Sequence, residues 1–96
     1  MIVTQLEGKV SSDQWDTLQQ TFYEAGQQLP SAIDRSYLIQ DQAAQDMWRI
    51  LTIWKSKQAL QEYRASINTP GGVLIFREAG AEPTLSISEV IEHACK

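Results

Sequence analysis

Cysteine and histidine are almost missing from these 96 residues: each occurs once, as Cys95 and His93, both beside the C-terminus. One thiol gives no disulfide framework, and one thiol with one imidazole gives no ligand set for zinc or iron. The carboxylates show no EF-hand spacing that would hold calcium or magnesium. Positive charge is also scarce, with 8 Lys and Arg against 12 Asp and Glu and no basic cluster. Such a chain repels a phosphate backbone, so nucleic acid is not an expected partner. No apolar run of about 18 residues occurs, and the start, Met1 to Glu7, has no basic segment leading into an apolar one. The expectation is a cytoplasmic protein with no membrane segment. With 43% hydrophobic residues, a chain this short encloses one core, hence a single domain over residues 1–96.

What is present is a clear succession of patterns. Residues 2–10, IVTQLEGKV, alternate with the period of a strand that has one better-buried face. Ser11, with Gln14 three residues on, has the form of a capping box. Trp15, Leu18, Phe22, Ala25 and Leu29 then follow at spacings of three and four, along one side of a helix that Pro30 ends. IDRSYLIQ, 33–40, reads as a second strand, joined by the polar DQAAQD to a third over 47–55. In that third strand Trp48, Ile50, Thr52 and Trp54 share one face while Leu51 and Ile53 make the other apolar too, so each side needs a cover. Ser56 is placed to cap a second helix carrying Ala59, Leu60, Tyr63 and Ile67 on one face, terminated by Asn68 to Gly72. Residues 73–79, VLIFREA, fit a buried strand or a helix; Pro70 before them and Gly80 after them favour the helix. TLSISEVIE, 84–92, alternates as a last strand.

The order β-α-β-β-α-β is the ferredoxin-like pattern of an α+β domain. Right-handed crossovers place both helices on one face of an antiparallel sheet. The other face is left bare with Leu51 and Ile53 on it, which predicts a homodimer with sheet packed against sheet.

Two stretches, WRILTIWKSKQALQEYRAS and TPGGVLIFREAGAEPTLSISEV, resemble the antibiotic biosynthesis monooxygenase family of the dimeric α+β barrel superfamily. The likeness runs over most of the chain, and its most specific parts are Trp54-Lys55-Ser56-Lys57 with Ala59-Leu60, and the run Phe76 to Pro83. The resemblance implies a small homodimer that oxidises a quinol-like or polyketide aromatic with molecular oxygen and no metal or flavin, although others of the family degrade haem. It also implies that Trp54, Tyr63 and Arg77 lie near a cleft between sheet and helices. Where quinone-forming members carry an asparagine four residues before the strand tryptophan, this chain has Ile50. Where haem-degrading members carry a helical tryptophan and a later histidine, it has Tyr63 and Val73, so haem degradation is not expected.

Each candidate also has a plainer reading. Trp54 suits core packing as well as a cavity wall. Tyr63 can give its hydroxyl to a backbone group or to a ligand. Arg77 suits an ion pair with Glu78 or Glu82, or an anionic ligand. Trp48 reads as packing or a dimer contact and Trp15 as packing, and His93 and Cys95 carry no expected role. Two functions remain: a cofactor-independent monooxygenase of a small aromatic, or a non-catalytic barrel that binds a small apolar ligand or acts as an interaction module.

Overall fold

The alternation in IVTQLEGK becomes β1, Ile2–Lys9, in a computed structural model that describes all residues from 1 to 96. There follow α1 (Trp15–Gly26), β2 (Ile33–Gln40), β3 (Met47–Trp54), α2 (Lys57–Ser66), α3 (Gly71–Glu78) and β4 (Thr84–Glu89). All pairings are antiparallel, in the order β2-β3-β1-β4, which is the expected ferredoxin-like sheet with the chain's first strand inside it. Residues 73–78 fall in a helix, α3, with Ala79 as its C-cap, as Pro70 and Gly80 indicated.

Strand register decides what faces the helices. Pairing aligns Ile33, Trp54 and Ile2 in one row, Ser36, Thr52, Thr4 and Ile87 in the next, and Leu38, Ile50, Leu6 and Leu85 in a third. A bulge at Asp34 inserts one residue between Ile33, opposite Trp54, and Arg35, opposite Ile53. Without it Ile33 and Arg35 would share a face; with it Ile33 turns to the helices and Arg35 to the open side.

The helix ends show where local chemistry won or lost. Ser56 Oγ accepts from the Ala59 amide at 2.9 Å and starts α2 as expected. At α3, Gly80 takes φ of 76°, and the Gly80 and Ala81 amides return to the Arg77 and Phe76 carbonyls, a Schellman ending that a residue with a side chain would strain. The capping box at Ser11 does not form. Ser11 Oγ donates instead to Asp13 Oδ1 at 2.6 Å, and Ser12–Gln14 makes a 3-10 turn before α1 begins at Trp15. A carboxylate two residues away outcompetes the geometry of a cap. α1 also stops at Gly26 rather than Leu29, because Gln27 and Gln28 bond three residues back, to Glu24 and Ala25, and tighten the last turn. β4 closes at Glu89, short of the expected residue 92.

The core is divided. Its larger part centres on Phe76, Leu18 and Val10, which are fully enclosed, with Trp48 and Ile50 from β3. Phe76 lies over Gly8, where a Cβ would come within 3.0 Å of the ring, so glycine is what lets α3 approach β1. Trp48 packs edge to face on Trp15 at 5.9 Å, and Trp15 Nε1 donates to the Val10 carbonyl at 2.8 Å. Trp15 is a packing residue as read from the sequence, and of the two readings of Trp48 its place in this core matches packing. The smaller part holds Ile2, Trp54 and Leu60.

The far side of the sheet has no helix on it. Val3, Leu51 and Ile53 are half-buried there, while Tyr37 and Ile39 are 45% and 37% exposed. Charge at one end of this face is internally matched, since Arg49 Nε meets Glu7 Oε2 at 2.6 Å and its Nη1 meets Asp41 Oδ1 at 3.1 Å. The Ala44 amide and then Arg49 hold the Asp41 carboxyl below the usual carboxylate range, and Glu7 and Asp41 together hold the Arg49 guanidinium more firmly protonated. No helix is long and apolar enough to cross a membrane.

A cavity between the sheet and the helices

Between the two parts of the core lies a cavity of about 360 Å³. Leu6, Ile50 and Ile75 border it from the larger cluster, and Trp54 and Leu60 from the smaller one. α1 contributes Phe22, Ala25 and Gly26, and the turn after it adds Leu29. The early end of α1 therefore has a consequence: Leu29, 43% exposed, becomes cavity rim instead of helix core. β4 offers Leu85 and Ile87 from the helix-facing side, yet each is 46% exposed because the helices do not reach over that edge strand. This leaves the cavity open along β4.

Trp54 and Tyr63 make one wall together. Trp54 ends β3 and Tyr63 sits in α2, and the Ser56 cap between them fixes the junction. Their ring centroids are 5.1 Å apart at 46°. Trp54 is 7% exposed, and its Nε1 donates to Thr4 Oγ1 at 2.9 Å, which locks the indole plane against β1. Tyr63 Oη accepts from the Gly71 amide at 3.0 Å, tying α2 to the start of α3. The next residue, Gly72, sits so close to the sheet that a Cβ there would come within 2.5 Å of Leu6 Cδ1. The alternatives for Trp54 are thus not exclusive, since one face of the ring packs into core while the residue also borders the cavity.

Arg77 does not join them. It is exposed on α3, absent from the cavity lining, and bonded by Nε and Nη2 to Glu82 at 2.9 and 2.8 Å. That fork raises the Arg77 pKa and lowers that of Glu82, the behaviour of an ion pair rather than of a ligand site. The resemblance put a cation at the cleft, and the one that borders it is Arg64, next to Tyr63 on α2. Its only sequence signal was that adjacency.

Sequence reading also missed a row of hydroxyls. Thr4 and Thr52 are cross-strand partners, each 7% exposed, and Ser36 is the next partner along; all three border the cavity. Ser36 Oγ and Thr52 Oγ1 are 2.9 Å apart. Thr4 and Thr52 were visible as polar interruptions of apolar alternations, but their meeting depends on pairing β1 with β3. Ile50, at 3% exposure, fills the next row with hydrocarbon where the resemblance has asparagine. No three of the His, Cys, Asp and Glu side chains come together in a way that would hold a metal ion.

No model of a known protein family matches the chain, and no curated protein matches its sequence. Solved structures do match in fold. A Deinococcus radiodurans protein, assigned by inference as an antibiotic biosynthesis monooxygenase, superposes with a TM-score of 0.75 at 14% identity, over 100% of this chain and 98% of its own. SnoaB from Streptomyces nogalater, described as a cofactor-independent oxygenase, gives 0.71 at 10% identity over 99% and 97%. A variant of MhuD with two manganese protoporphyrin IX molecules per active site gives 0.70 at 14% identity over both full lengths. The chain therefore has, along its whole length, the ferredoxin-like α+β fold of the structures named antibiotic biosynthesis monooxygenase.

Proposed function

We propose that the cavity takes up a small, flat aromatic or quinol-like molecule, and that the protein is a cofactor-independent monooxygenase acting on it. The observation that carries this reading is the Trp54–Tyr63 wall beside a mainly apolar space of about 360 Å³, entered past an edge strand that the helices leave uncovered. A volume of that order suits a ligand of two or three fused rings. The fold shared with SnoaB supports the choice of chemistry.

Oxygenation without a cofactor makes the substrate its own reductant. An activated methylene or phenol loses a proton to solvent at the cavity mouth, the resulting anion gives one electron to oxygen, and the two radicals combine into a carbon-bound peroxide anion, which takes a proton back. The protonated peroxide then loses water, which takes the hydrogen that remains on the same carbon and leaves a carbonyl, one oxygen atom going to product and one to water. The chain's part is to exclude bulk water with Leu6, Ile50 and Leu60, to hold the ring plane on Trp54, and to stabilise the anion by hydrogen bonds from Tyr63 and the hydroxyl row. Arg64 adds positive charge at the rim.

Ile50 favours the second reading, a barrel that binds an apolar ligand without transforming it, because an isoleucine at that place cannot polarise oxygen or substrate. An oxygen electrode separates the two. Purified protein with a chelator present, offered a panel of hydroquinones and anthrones in air, is expected to consume oxygen faster than the protein-free mixture. No consumption above that background across the panel ends the oxygenase reading and leaves the binding one.

We infer further that the protein is a homodimer. The uncovered sheet face carrying Leu51, Ile53 and Tyr37 supports this, since an apolar sheet face of that kind is rarely left in water.

A further inference from the structure

We propose that the hydroxyl row formed by Thr4, Thr52 and Ser36 is the cavity's specificity element, and that it selects ligands presenting a hydrogen-bond acceptor, a carbonyl or phenolate oxygen, to the sheet. This rests on the cavity being a ligand site, and deepens that reading.

Each hydroxyl brings one O–H donor and two acceptor lone pairs. Thr4 Oγ1 accepts the Trp54 indole N–H at 2.9 Å, so its own proton has to go elsewhere, and no protein acceptor takes it. Ser36 and Thr52 share one hydrogen bond at 2.9 Å, which engages one proton and leaves the other. The row therefore ends with two donors free. It sits on the floor of an apolar space, with Thr4 and Thr52 each 7% exposed, where a donor without an acceptor is costly. Tyr63 repeats the pattern from the roof, because its oxygen accepts the Gly71 amide and its proton stays available.

The imbalance has a direction. A ligand N–H or O–H set on this row would still find an open lone pair, but it would leave both free protons without an acceptor, and each oxygen that already accepts a bond gains little from a second. A ligand carbonyl or phenolate would satisfy the free protons, strengthened by the chain of polarised bonds behind them. The Trp54 contact thus has two effects: it fixes the ring as a wall and turns the Thr4 hydroxyl into a donor. Ile87 continues the same row on β4, so the polar strip ends in hydrocarbon and the acceptor must reach the β1–β3 part of the floor.

Three probes of nearly equal shape test this: fluorenone, with a carbonyl; fluorene, with neither group; and carbazole, with an N–H donor. Binding to the full chain is measured by equilibrium dialysis. Fluorenone is expected to bind about five- to ten-fold more tightly than fluorene, although fluorene is the more hydrophobic, and carbazole no better than fluorene. The double variant Thr52→Val, Ser36→Ala removes one of the two free protons and keeps that of Thr4, so it should reduce the preference for fluorenone by about half or more, with retained fluorene binding as the check that the cavity is still folded. Thr52→Ser, keeping the hydroxyl, should retain the preference. Equal affinity for fluorenone and fluorene in the unaltered protein, or a preference undiminished by the double variant, overturns the proposal while leaving a ligand cavity in place. Failure of all three probes to bind overturns the proposal together with the cavity reading beneath it.

Discussion

Replacing Phe76 by alanine is expected to cost about 3–5 kcal/mol of folding stability and to lower the melting temperature by roughly 15–25 °C. The side chain is completely enclosed, its ring lies over Gly8, and the Phe76 carbonyl also accepts the Ala81 amide that closes α3. Gly8 offers no side chain to collapse into the space, so the cavity stays open and its lining loses dispersion contacts. Leu74→Ala on the same helix, at a position 53% exposed, should change stability by less than about 0.5 kcal/mol. Thermal unfolding followed by circular dichroism compares the two. Equal melting temperatures would mean that α3 does not pack on β1 as described.

Leu51→Arg should convert a dimer to a monomer. Leu51 stands between Gln5 and Tyr37 across the open face, near the middle of the sheet. In a symmetric pair every copy contributes its own, so one substitution buries two guanidinium groups without partners. Breaking or omitting one partner of a buried charge pair costs about 3 kcal/mol or more, and two such charges weaken association on the order of 10⁴-fold. Light scattering at micromolar concentration should give twice the 10.8 kDa chain mass for the unaltered protein and the single mass for the variant. A monomer before any substitution removes the dimer.

The fold was legible because its signals were local and agreed with one another. Period-two alternation marked β1 and β4, Ser56 marked the start of α2, and Gly80 the end of α3. The misreadings were also local, but they concerned competition. Whether Ser11 caps a helix or bonds Asp13 depends on which acceptor its hydroxyl reaches, and whether α1 runs to Leu29 depends on how Gln27 and Gln28 close their turn. Neither choice has a composition signal.

The site was less legible. Trp54 and Tyr63 came from the resemblance, and the geometry brings them together. Arg77 came from it as well, but Glu82 lies five residues on, where a loop folds its carboxylate into the guanidinium fork. The hydroxyl row stayed hidden because Thr4, Ser36 and Thr52 are far apart along the chain and become neighbours only through the registers of β1, β2 and β3. A threonine in a strand is ordinary until its cross-strand partner is known.

If the space between sheet and helices is the ligand site, the chain carries its own reporters for it. Of its three tryptophans, Trp54 borders the cavity, with its indole N–H on Thr4, while Trp15 and Trp48 belong to the other part of the core. The most direct measurement is therefore a nuclear magnetic resonance titration of the three indole N–H signals with fluorenone. The prediction is a saturable shift of the Trp54 signal, with those of Trp15 and Trp48 nearly still. A Trp54 signal that does not move at saturating fluorenone, or a shift confined to Trp15 and Trp48, would contradict it.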